Sequence, residues 1–464
     1  MNSPTLAPNS AAARDIAYTL HPYTHLKQHQ DSGPLVITSG KGVRVYDESG
    51  KSYIEGMAGL WCTALGWSEE RLVDAATRAL RQLPFYHGFG GKAAPATIDL
   101  AEKLIHLAPV PMSKVFFANS GSEANDTAIK LIWYYNNALG KPEKKKIISR
   151  TRAYHGVTLA AASLTGLPAN HRDFDLPLAR ILHTDCPHYY RFAKNGETEE
   201  EFATRLAENL EQLILDEGPD TIAAMFAEPV MGAGGVIVPP ATYFEKIQKV
   251  LKKYDVLLVA DEVICAYGRT GNMWGSQTFD MKPDMIATSK ALSSGYLPIS
   301  ALMISDAIYQ GMVKSSEKIG VFGHGFTYSG HPVPAAVALE ALNIYEERDI
   351  VAHVREVSPI LQNGLRNFAD HPLIGEARGI GLVGAVELVR DKATKESFDP
   401  ALAIAARVAK AAEIHGLIVR ALPGDIVAFS PPLVIEAADI EDMLASFSLA
   451  LDDTLIWVRE SGLV

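Results

Sequence analysis

Two adjacent acids follow an apolar run in the stretch VLLVADEVICAYGRTG, residues 256–271. The run at 256–260 has the composition of a β-strand that is buried on both faces. An unpaired charge at the end of such a strand is costly. The pattern therefore predicts that Asp261 or Glu262 meets a cationic partner in a site at this strand end.

A lysine occupies the corresponding place after the next predicted strand. Lys290 lies in TSKALSSGYLP, between a strand pattern and a Ser/Gly-rich turn. A lysine in such a position usually reaches solvent, whereas a buried one loses its proton readily and can form a Schiff base with an aldehyde. Because ligands bind beyond the carboxyl ends of strands in open α/β sheets, we expect Lys290 and Asp261 to line one site.

The segment NSGSEAN, residues 119–125, joins a strand pattern to a helical one. Its serines could cap the helix, and its free N–H groups could hold a phosphate. A phosphate loop beside a lysine and an acid is the arrangement that pyridoxal 5′-phosphate (PLP) requires: the lysine holds the aldehyde and the acid keeps the pyridine nitrogen protonated. A pyridinium partner would explain a buried Asp261.

Five segments occur together in the order and with the spacings of one enzyme family: ANSGSEAN, YHG, ADEVICAYGRTG, ATSKALSSGYLP and FTYSGHP. Over roughly residues 20–460 the chain resembles the class III aminotransferases of the ω-amino acid:pyruvate type, which belong to the fold-type I PLP enzymes. The resemblance implies an α/β fold, with a large domain built on a mostly parallel sheet and a smaller α+β domain. It also implies a homodimer with shared active sites, leaving a tetramer open.

The resemblance implies roles for individual residues. Lys290 matches the catalytic Schiff-base lysine and Asp261 the partner of the pyridinium nitrogen. Further cofactor contacts are implied for Gly121 and Ser122 at the phosphate, Tyr154 stacked on the ring, His155 beside it, Glu228 on its polar side, Val263 beneath it, and Thr327 reaching the phosphate in the neighbouring subunit.

Substrate contacts are implied as well. Arg420 matches an arginine that binds the acceptor's carboxylate, a role suited to a guanidinium, although a salt bridge between domains is the structural alternative. Trp61 and Phe89 match aromatic pocket walls, and Tyr154 also faces the substrate. Apolar walls without a second arginine favour pyruvate over 2-oxoglutarate as acceptor. The donor, an ω-amino acid such as β-alanine, a diamine, taurine or a hydrophobic amine, is left open.

The elements that position these residues alternate between helix and strand patterns from about residue 70. That alternation is typical of an α/β domain with a mostly parallel sheet. We predict a loose tail at 1–15, a large PLP-binding domain at 70–334, and a small domain formed by 16–69 together with 335–464.

Composition excludes several other classes of protein. The 464 residues carry a net charge of −11, which argues against nucleic acid or an anionic membrane as partner. The three cysteines, Cys62, Cys186 and Cys265, have neither metal-ligand spacing nor a disulfide pattern, so we predict no metal site. Without a secretory signal or a sufficiently long apolar run, the expected location is the cytoplasm.

Three alternatives remain at this stage. A related PLP enzyme could isomerise or decarboxylate an amino acid rather than transfer its amino group. A nicotinamide-dependent oxidoreductase is suggested by GIGLVG at 379–384, but that motif needs a strand before it and a helix after it, and here a strand pattern follows. A PLP-binding regulator would need a DNA-binding element, and none is evident.

Overall fold

A computed structural model of the chain describes residues 7–463. The strands, in chain order, are β1 Ile37–Lys41, β2 Arg44–Asp47, β3 Ser52–Glu55, β4 Lys114–Ala118, β5 Lys146–Arg150, β6 Ile181–Thr184, β7 Ile222–Ala227, β8 Leu257–Asp261, β9 Met285–Thr288, β10 Ser300–Ile304, β11 Ile374–Ile380, β12 Val383–Leu388, β13 Leu417–Ile418, β14 Arg420–Leu422 and β15 Ile426–Phe429.

The α-helices of the described residues lie between and around these strands. They are α1 Ala11–Tyr18, α2 Leu26–Ser32, α3 Ala58–Trp61, α4 Glu70–Gln82, α5 Pro95–Leu107, α6 Gly121–Ala138, α7 Leu159–Leu164, α8 Tyr189–Phe192, α9 Glu199–Glu217, α10 Tyr243–Lys253, α11 Gly275–Thr278, α12 Asp306–Ile319, α13 Pro332–Glu347, α14 Ile350–Asn367, α15 Ile404–Ile414 and α16 Ala437–Glu460. Within residues 7–463, no helix combines the length and the apolar character that a membrane crossing requires.

The largest sheet has seven strands in the order β4-β10-β9-β8-β7-β5-β6. Only β10 runs against its neighbours, pairing antiparallel with both β4 and β9, while the other pairs are parallel. The prediction of an α/β fold with a mostly parallel sheet is therefore confirmed. Six strands end at the same edge of the sheet, which is the edge where ligands bind in such folds.

The seven-stranded sheet is covered on both faces. Every residue of β7 is buried, as is usual for a parallel strand between two layers of helices. Phe226 of β7 belongs to an apolar cluster with Ile129 of α6, and its neighbour Met225 belongs to the cluster on the opposite face, with Leu342 of α13. Alternate side chains thus anchor both layers, and the strand ends are held rigidly.

Two four-stranded sheets complete the fold, in the orders β1-β2-β3-β13 and β11-β12-β15-β14. Strand β3 pairs in parallel with β13 through Ile54 and Leu417. This pairing supports the prediction that the N-terminal segment joins the C-terminal part in one small domain. The boundaries at residues 69 and 335 stay a prediction.

The prediction of a loose tail at 1–15 is wrong for residues 11–15, which lie in helix α1. Helix α1 begins at Ala11, because the Ser10 side chain accepts a hydrogen bond from the Ala13 N–H (3.2 Å) and caps the first turn. The sequence signal was present but short, since Ser10 precedes a run of three alanines. Residues 1–6 of the predicted tail lie outside the described residues.

The glycine motif at 379–384 forms a β-hairpin. Gly379 lies in β11 and Gly384 in β12, and the two are paired across the hairpin, with Gly381 in the turn at φ 59°. A nucleotide-binding motif of this type requires a helix after the glycines, and a strand follows here. The hairpin agrees with the prediction that this motif is not a nicotinamide site. The motif spans the end of β11, the turn and the start of β12.

Candidate active site

A cavity of about 330 Å³ opens at the carboxyl edge of the seven-stranded sheet. Residues that follow β4, β5, β7, β8 and β9 contribute to its wall. The side chains and backbone that line it belong to Cys62, Asn119, Ser120, Gly121, Ser122, Asn125, Tyr154, His155, Gly156, Glu228, Asp261, Val263, Ile264, Ser289, Lys290, Ser293, Gly295, Leu297, Pro298 and Ile299.

Asp261, the last residue of β8, is buried and held on both carboxylate oxygens. Its Oδ2 accepts hydrogen bonds from Asn125 Nδ2 (2.8 Å) and from His155 Nδ1 (2.8 Å). Its Oδ1 accepts one from the backbone N–H of Val263 (3.1 Å). Because a carboxylate only accepts, the proton of His155 lies on Nδ1. Three donors thus fix the orientation of the Asp261 carboxylate at the cavity wall.

Glu262, the second acid of the pair, has a different environment. Its carboxylate accepts from the backbone N–H groups of Gly275 (3.0 Å) and Ser276 (2.6 Å) and from the Ser276 hydroxyl. Burial raises the pKa of Glu262 to about 7. These bonds hold the start of α11, so Glu262 contributes to the structure and lies outside the cavity lining.

Lys290 begins a 3-10 turn, Lys290–Ser293, directly after β9 and Ser289. Its φ of 47° is in the left-handed region, where non-glycine residues are uncommon and are often found at functional sites. Burial lowers the pKa of the Lys290 ammonium, and within residues 7–463 no carboxylate forms an ion pair with it. An amine in this environment releases its proton readily and can act as a nucleophile.

The start of α6 presents unsatisfied backbone donors to the same cavity. Ser120 caps the helix by accepting from the Glu123 N–H (3.2 Å), and Glu123 in turn accepts from the Asn119 N–H (2.7 Å). In the described chain, the N–H groups of Ser120, Gly121 and Ser122 have no protein acceptor. Both predicted functions of this loop, the cap and the free donors, are thus present together. Free N–H groups at a helix start are suited to a phosphate.

Gly121 and Gly156 allow close approach around this helix start. A Cβ at Gly121 would lie 3.1 Å from Val263 Cγ2, so a larger residue would displace the valine that lines the cavity. Gly156 has a φ of 127°, and a Cβ there would lie 2.4 Å from the Ser122 hydroxyl. That hydroxyl accepts from the Val157 N–H (3.1 Å). The two glycines therefore keep the loops after β4 and β5 packed together.

Tyr154 and Glu228 come from the loops after β5 and β7. Glu228 is buried; its Oε1 accepts from the Tyr154 N–H (3.1 Å) and its Oε2 from the Gly232 N–H (3.0 Å). Burial raises the pKa of both the Glu228 carboxyl and the Tyr154 hydroxyl. The Glu228 carboxylate thus holds the backbone that carries Tyr154 into the cavity.

Eight sequence-predicted residues therefore line one cavity: Gly121, Ser122, Tyr154, His155, Glu228, Asp261, Val263 and Lys290. Four others do not line it in the single chain: Trp61, Phe89, Thr327 and Arg420.

Each of these four has its own surroundings. Trp61 is buried in an apolar cluster with Met57 and Val230, and its neighbour Cys62 lines the cavity instead. Phe89 and Thr327 are exposed, and the Phe89 ring approaches the loop that carries Thr327 at Gly325. Arg420 in β14 is partly buried beside Tyr154 and Tyr23, and burial lowers its pKa.

Asn125 and Tyr23 contact residues of this site and were not singled out from the sequence. Asn125 holds Asp261, and a signal for it existed in the motif NSGSEAN, because it stands one helical turn after Gly121 on the same face of α6. Tyr23 lies with its ring centroid 6.5 Å from that of Tyr154, edge to face. Tyr23 lies outside the cavity lining, and no local pattern in the sequence distinguishes it.

Comparisons with known proteins agree with this geometry. The family model described as aminotransferase class-III matches residues 26–451. The mitochondrial gamma aminobutyrate transaminase 1 of Solanum lycopersicum is 54% identical over 442 residues, covering 95% of this chain and 86% of that protein. The chloroplastic gamma aminobutyrate transaminase 3 of the same plant is 52% identical, covering 97% and 88%.

Solved structures give the same result. The omega transaminase from Pseudomonas jessenii in complex with PMP superposes with a TM-score of 0.96 at 57% identity, covering 97% of this chain and 99% of that one. A structure described as a transaminase with L-ala superposes with a TM-score of 0.90 at 59% identity, covering 91% and 100%.

Proposed function

Because this chain belongs to the class III aminotransferases, which use PLP, we propose that it transfers an amino group from an ω-amino acid or amine to pyruvate. The single observation that carries the proposal is the convergence of Lys290, Asp261 and the free N–H groups of α6 on one cavity. The names of the two tomato relatives add support for ω-amino acid donors, with γ-aminobutyrate the first to test.

The residues present are suited to PLP. Ser120, Gly121 and Ser122 offer unsatisfied N–H groups to its phosphate, and Asp261 offers a fixed carboxylate to its ring nitrogen. Lys290 offers an amine without a carboxylate partner in the described chain. When bound, the cofactor supplies an electron sink for bond breaking at the carbon that carries the amino group.

The chain's own residues then perform the remaining tasks. Lys290 Nζ accepts a proton from the substrate carbon, because its lowered pKa leaves more of the amine neutral near neutral pH. Asp261 would stabilise a positive charge at the ring nitrogen. Hydrogen bonds from Asn125 and His155 hold its carboxylate in a fixed orientation. Tyr154 and Val263 line the cavity and would hold the cofactor ring between them.

Arg420 binds the carboxylate of the acceptor in this proposal. Its guanidinium lies near Tyr154, which lines the cavity, and it forms no ion pair within the described residues. Of those residues, none that lines the cavity is an arginine. One guanidinium is suited to a monocarboxylate such as pyruvate, and no second arginine of residues 7–463 lines the cavity to pair with the second carboxylate of 2-oxoglutarate.

We propose a homodimer in which Phe89 and Thr327 complete the partner's site. Exposed apolar side chains surround them, and the rings of Phe85 and Tyr328 meet with centroids 5.5 Å apart. A surface of this kind usually contacts another protein. The cytoplasmic location stays a prediction, since the tomato relatives are named mitochondrial and chloroplastic.

An absorption spectrum tests the function directly. Purified protein supplemented with PLP should show the visible band of a lysine-bound cofactor. A single donor, γ-aminobutyrate first and then β-alanine, taurine, putrescine and a hydrophobic amine, should bleach the band, and pyruvate should restore it. Restoration by 2-oxoglutarate alone would contradict the acceptor assignment. Bleaching with release of carbon dioxide, or isomerisation without an acceptor, would instead indicate a decarboxylase or an aminomutase.

A further inference from the structure

The N-terminal segment 7–32 is ordered into α1 and α2 with almost no apolar anchoring. Ala12 is its one buried residue among the described ones. A single hydrogen bond, from Asn170 Nδ2 to the Tyr23 hydroxyl, joins it to the rest of the described chain. Two short helices of this size are marginal without tertiary packing. The contacts between the two helices within this segment therefore matter for their stability.

Three side chains converge between the two helices. His21 Nε2 lies 2.8 Å from Asp15 Oδ2, and His29 Nε2 lies 3.0 Å from the same oxygen. The donor atoms of all three lie within 4.8 Å of one another. Asp15 belongs to α1, His29 to α2, and His21 to the loop between them. The cluster is therefore the side-chain tie between α1 and α2.

The geometry is that of a metal ligand set. Two imidazole nitrogens and one carboxylate oxygen are a usual three-ligand zinc set, with water as the fourth ligand. Neighbouring ligand atoms around tetrahedral zinc lie about 3.3 Å apart, given bonds of about 2.0–2.1 Å. Shifts of a few tenths of an ångström would bring each histidine nitrogen to that spacing from the Asp15 oxygen.

A second cluster of the same residue types provides a contrast, because protein side chains already balance its negative charge. His188 lies 3.0 Å from Glu376 Oε2 and 3.8 Å from Glu387 Oε2. Here Arg378 pairs with both carboxylates and Arg191 with Glu387, so positive charge already occupies the place of a cation. No arginine or lysine forms an ion pair with Asp15 within the described residues.

We propose that Asp15, His21 and His29 bind a divalent zinc ion that ties α1 to α2. The aminotransferase chemistry does not use these three residues. The ion also has a consequence that rests on the proposed function. Tyr23 lies between His21 and His29 in the chain and packs edge to face on Tyr154, so the zinc ion holds Tyr23 beside the cavity.

Zinc binding to the holoenzyme tests the proposal without reference to turnover. The PLP-loaded full chain is dialysed against a chelator and then titrated with zinc chloride in a calorimeter. We expect a single tight site per chain. Asp15→Asn and His29→Gln should each weaken it by at least ~100-fold, more than the loss of an outer-shell partner usually does. Asp31→Asn, in the same segment and paired with Lys27 alone, should leave it unchanged.

Two spectroscopic and kinetic measurements separate a metal site from a hydrogen-bonded cluster. Co²⁺ bound in place of zinc should give tetrahedral visible bands in the wild type and in the Asp31→Asn variant, and none in Asp15→Asn. Zinc at 100 times its Kd should slow proteolysis within residues 7–32 by up to ~100-fold. Absence of zinc uptake, equal uptake by Asp15→Asn, or uptake without protection would each overturn the proposal. None of these results depends on which donor or acceptor the enzyme uses.

Discussion

The strand-end side and the substrate side of the cavity hold their charged groups in different ways. Asp261 at the strand-end side has three hydrogen-bond donors on two oxygens, and they come from α6, the loop after β5 and the turn after β8. Arg420 at the substrate side forms no ion pair within residues 7–463. Groups that stay fixed during a reaction are suited to transition-state chemistry, and free groups are suited to binding variable substrates. Changes on the first side should therefore lower kcat, and changes on the second should raise KM.

Lys290→Ala should give the largest effect. It removes the only lysine that lines the cavity among the described residues. We expect kcat to fall at least ~10⁴-fold, because one residue both holds the cofactor and transfers the proton. Steady-state turnover of γ-aminobutyrate with pyruvate measures this. Lys282→Ala is the matched control, because its ammonium is exposed and pairs with Asp280. Near-normal turnover in Lys290→Ala would contradict the assignment.

Asp261→Asn should lower kcat by about 10²–10³-fold, the usual loss when one preorganised electrostatic contact is removed. Asn125→Ala should cost about tenfold in kcat, because it leaves the carboxylate with two of its three donors. Single-turnover bleaching of the cofactor band by the donor measures both. A larger loss from Asn125→Ala than from Asp261→Asn would show that the two residues do not act through the same carboxylate.

Arg420→Ala should act on binding. We expect the KM for pyruvate to rise about 10–100-fold with kcat nearly unchanged, since a charge-assisted hydrogen bond contributes about 1.5–3 kcal/mol. The KM for an aldehyde acceptor without a carboxylate should not change, which provides the internal control. If both values of KM rise equally, Arg420 supports the domain packing rather than the acceptor, as the salt-bridge alternative holds.

Glu262→Gln should leave the chemistry nearly intact and change the pH dependence of stability. Burial raises the pKa of Glu262 to about 7 from 4.5, so the folded state binds its proton more tightly than the unfolded state. The stabilisation is fully present below pH 4.5 and is lost as the pH rises through about 7. The loss amounts to about 3 kcal/mol. Urea unfolding at pH 4.5 and pH 8 should show a loss of stability that is smaller in the variant than in the wild type by this amount.

The strand-end side could be predicted from the sequence because its signals are local. An apolar strand followed by an acid, and a helix that begins with NSGS, each specify their own geometry, and parallel strands bring their carboxyl ends to one edge. Asp261, Lys290 and Gly121 thus met as expected. The antiparallel β10 had no such signal, because a buried strand inside a sheet has the same apolar composition in either direction.

The substrate side could not be predicted in the same way. Trp61 and Cys62 are adjacent, and a left-handed φ of 63° at Trp61 decides which of them reaches the cavity. The surrounding turn is held by the Glu55 carboxylate, which accepts from the Met57 N–H (3.2 Å) and from the Gly59 N–H, and neither bond follows from the composition of the segment. The Asp15, His21 and His29 cluster likewise depends on how α1 and α2 meet, and spacing alone gave no metal-ligand pattern.

Helix α6 has a consequence for which cofactor analogues this chain can use. Its first turn carries the free N–H groups, and Asn125, one turn later, holds the carboxylate of Asp261. A helix rises about 1.5 Å per residue, so about 6 Å along one stiff rod separates Gly121 from Asn125. The helix therefore fixes the distance between the N–H groups suited to a phosphate and the Asp261 carboxylate suited to the ring nitrogen. An analogue with one extra methylene in its phosphate arm exceeds that distance and should reach only one of the two at a time.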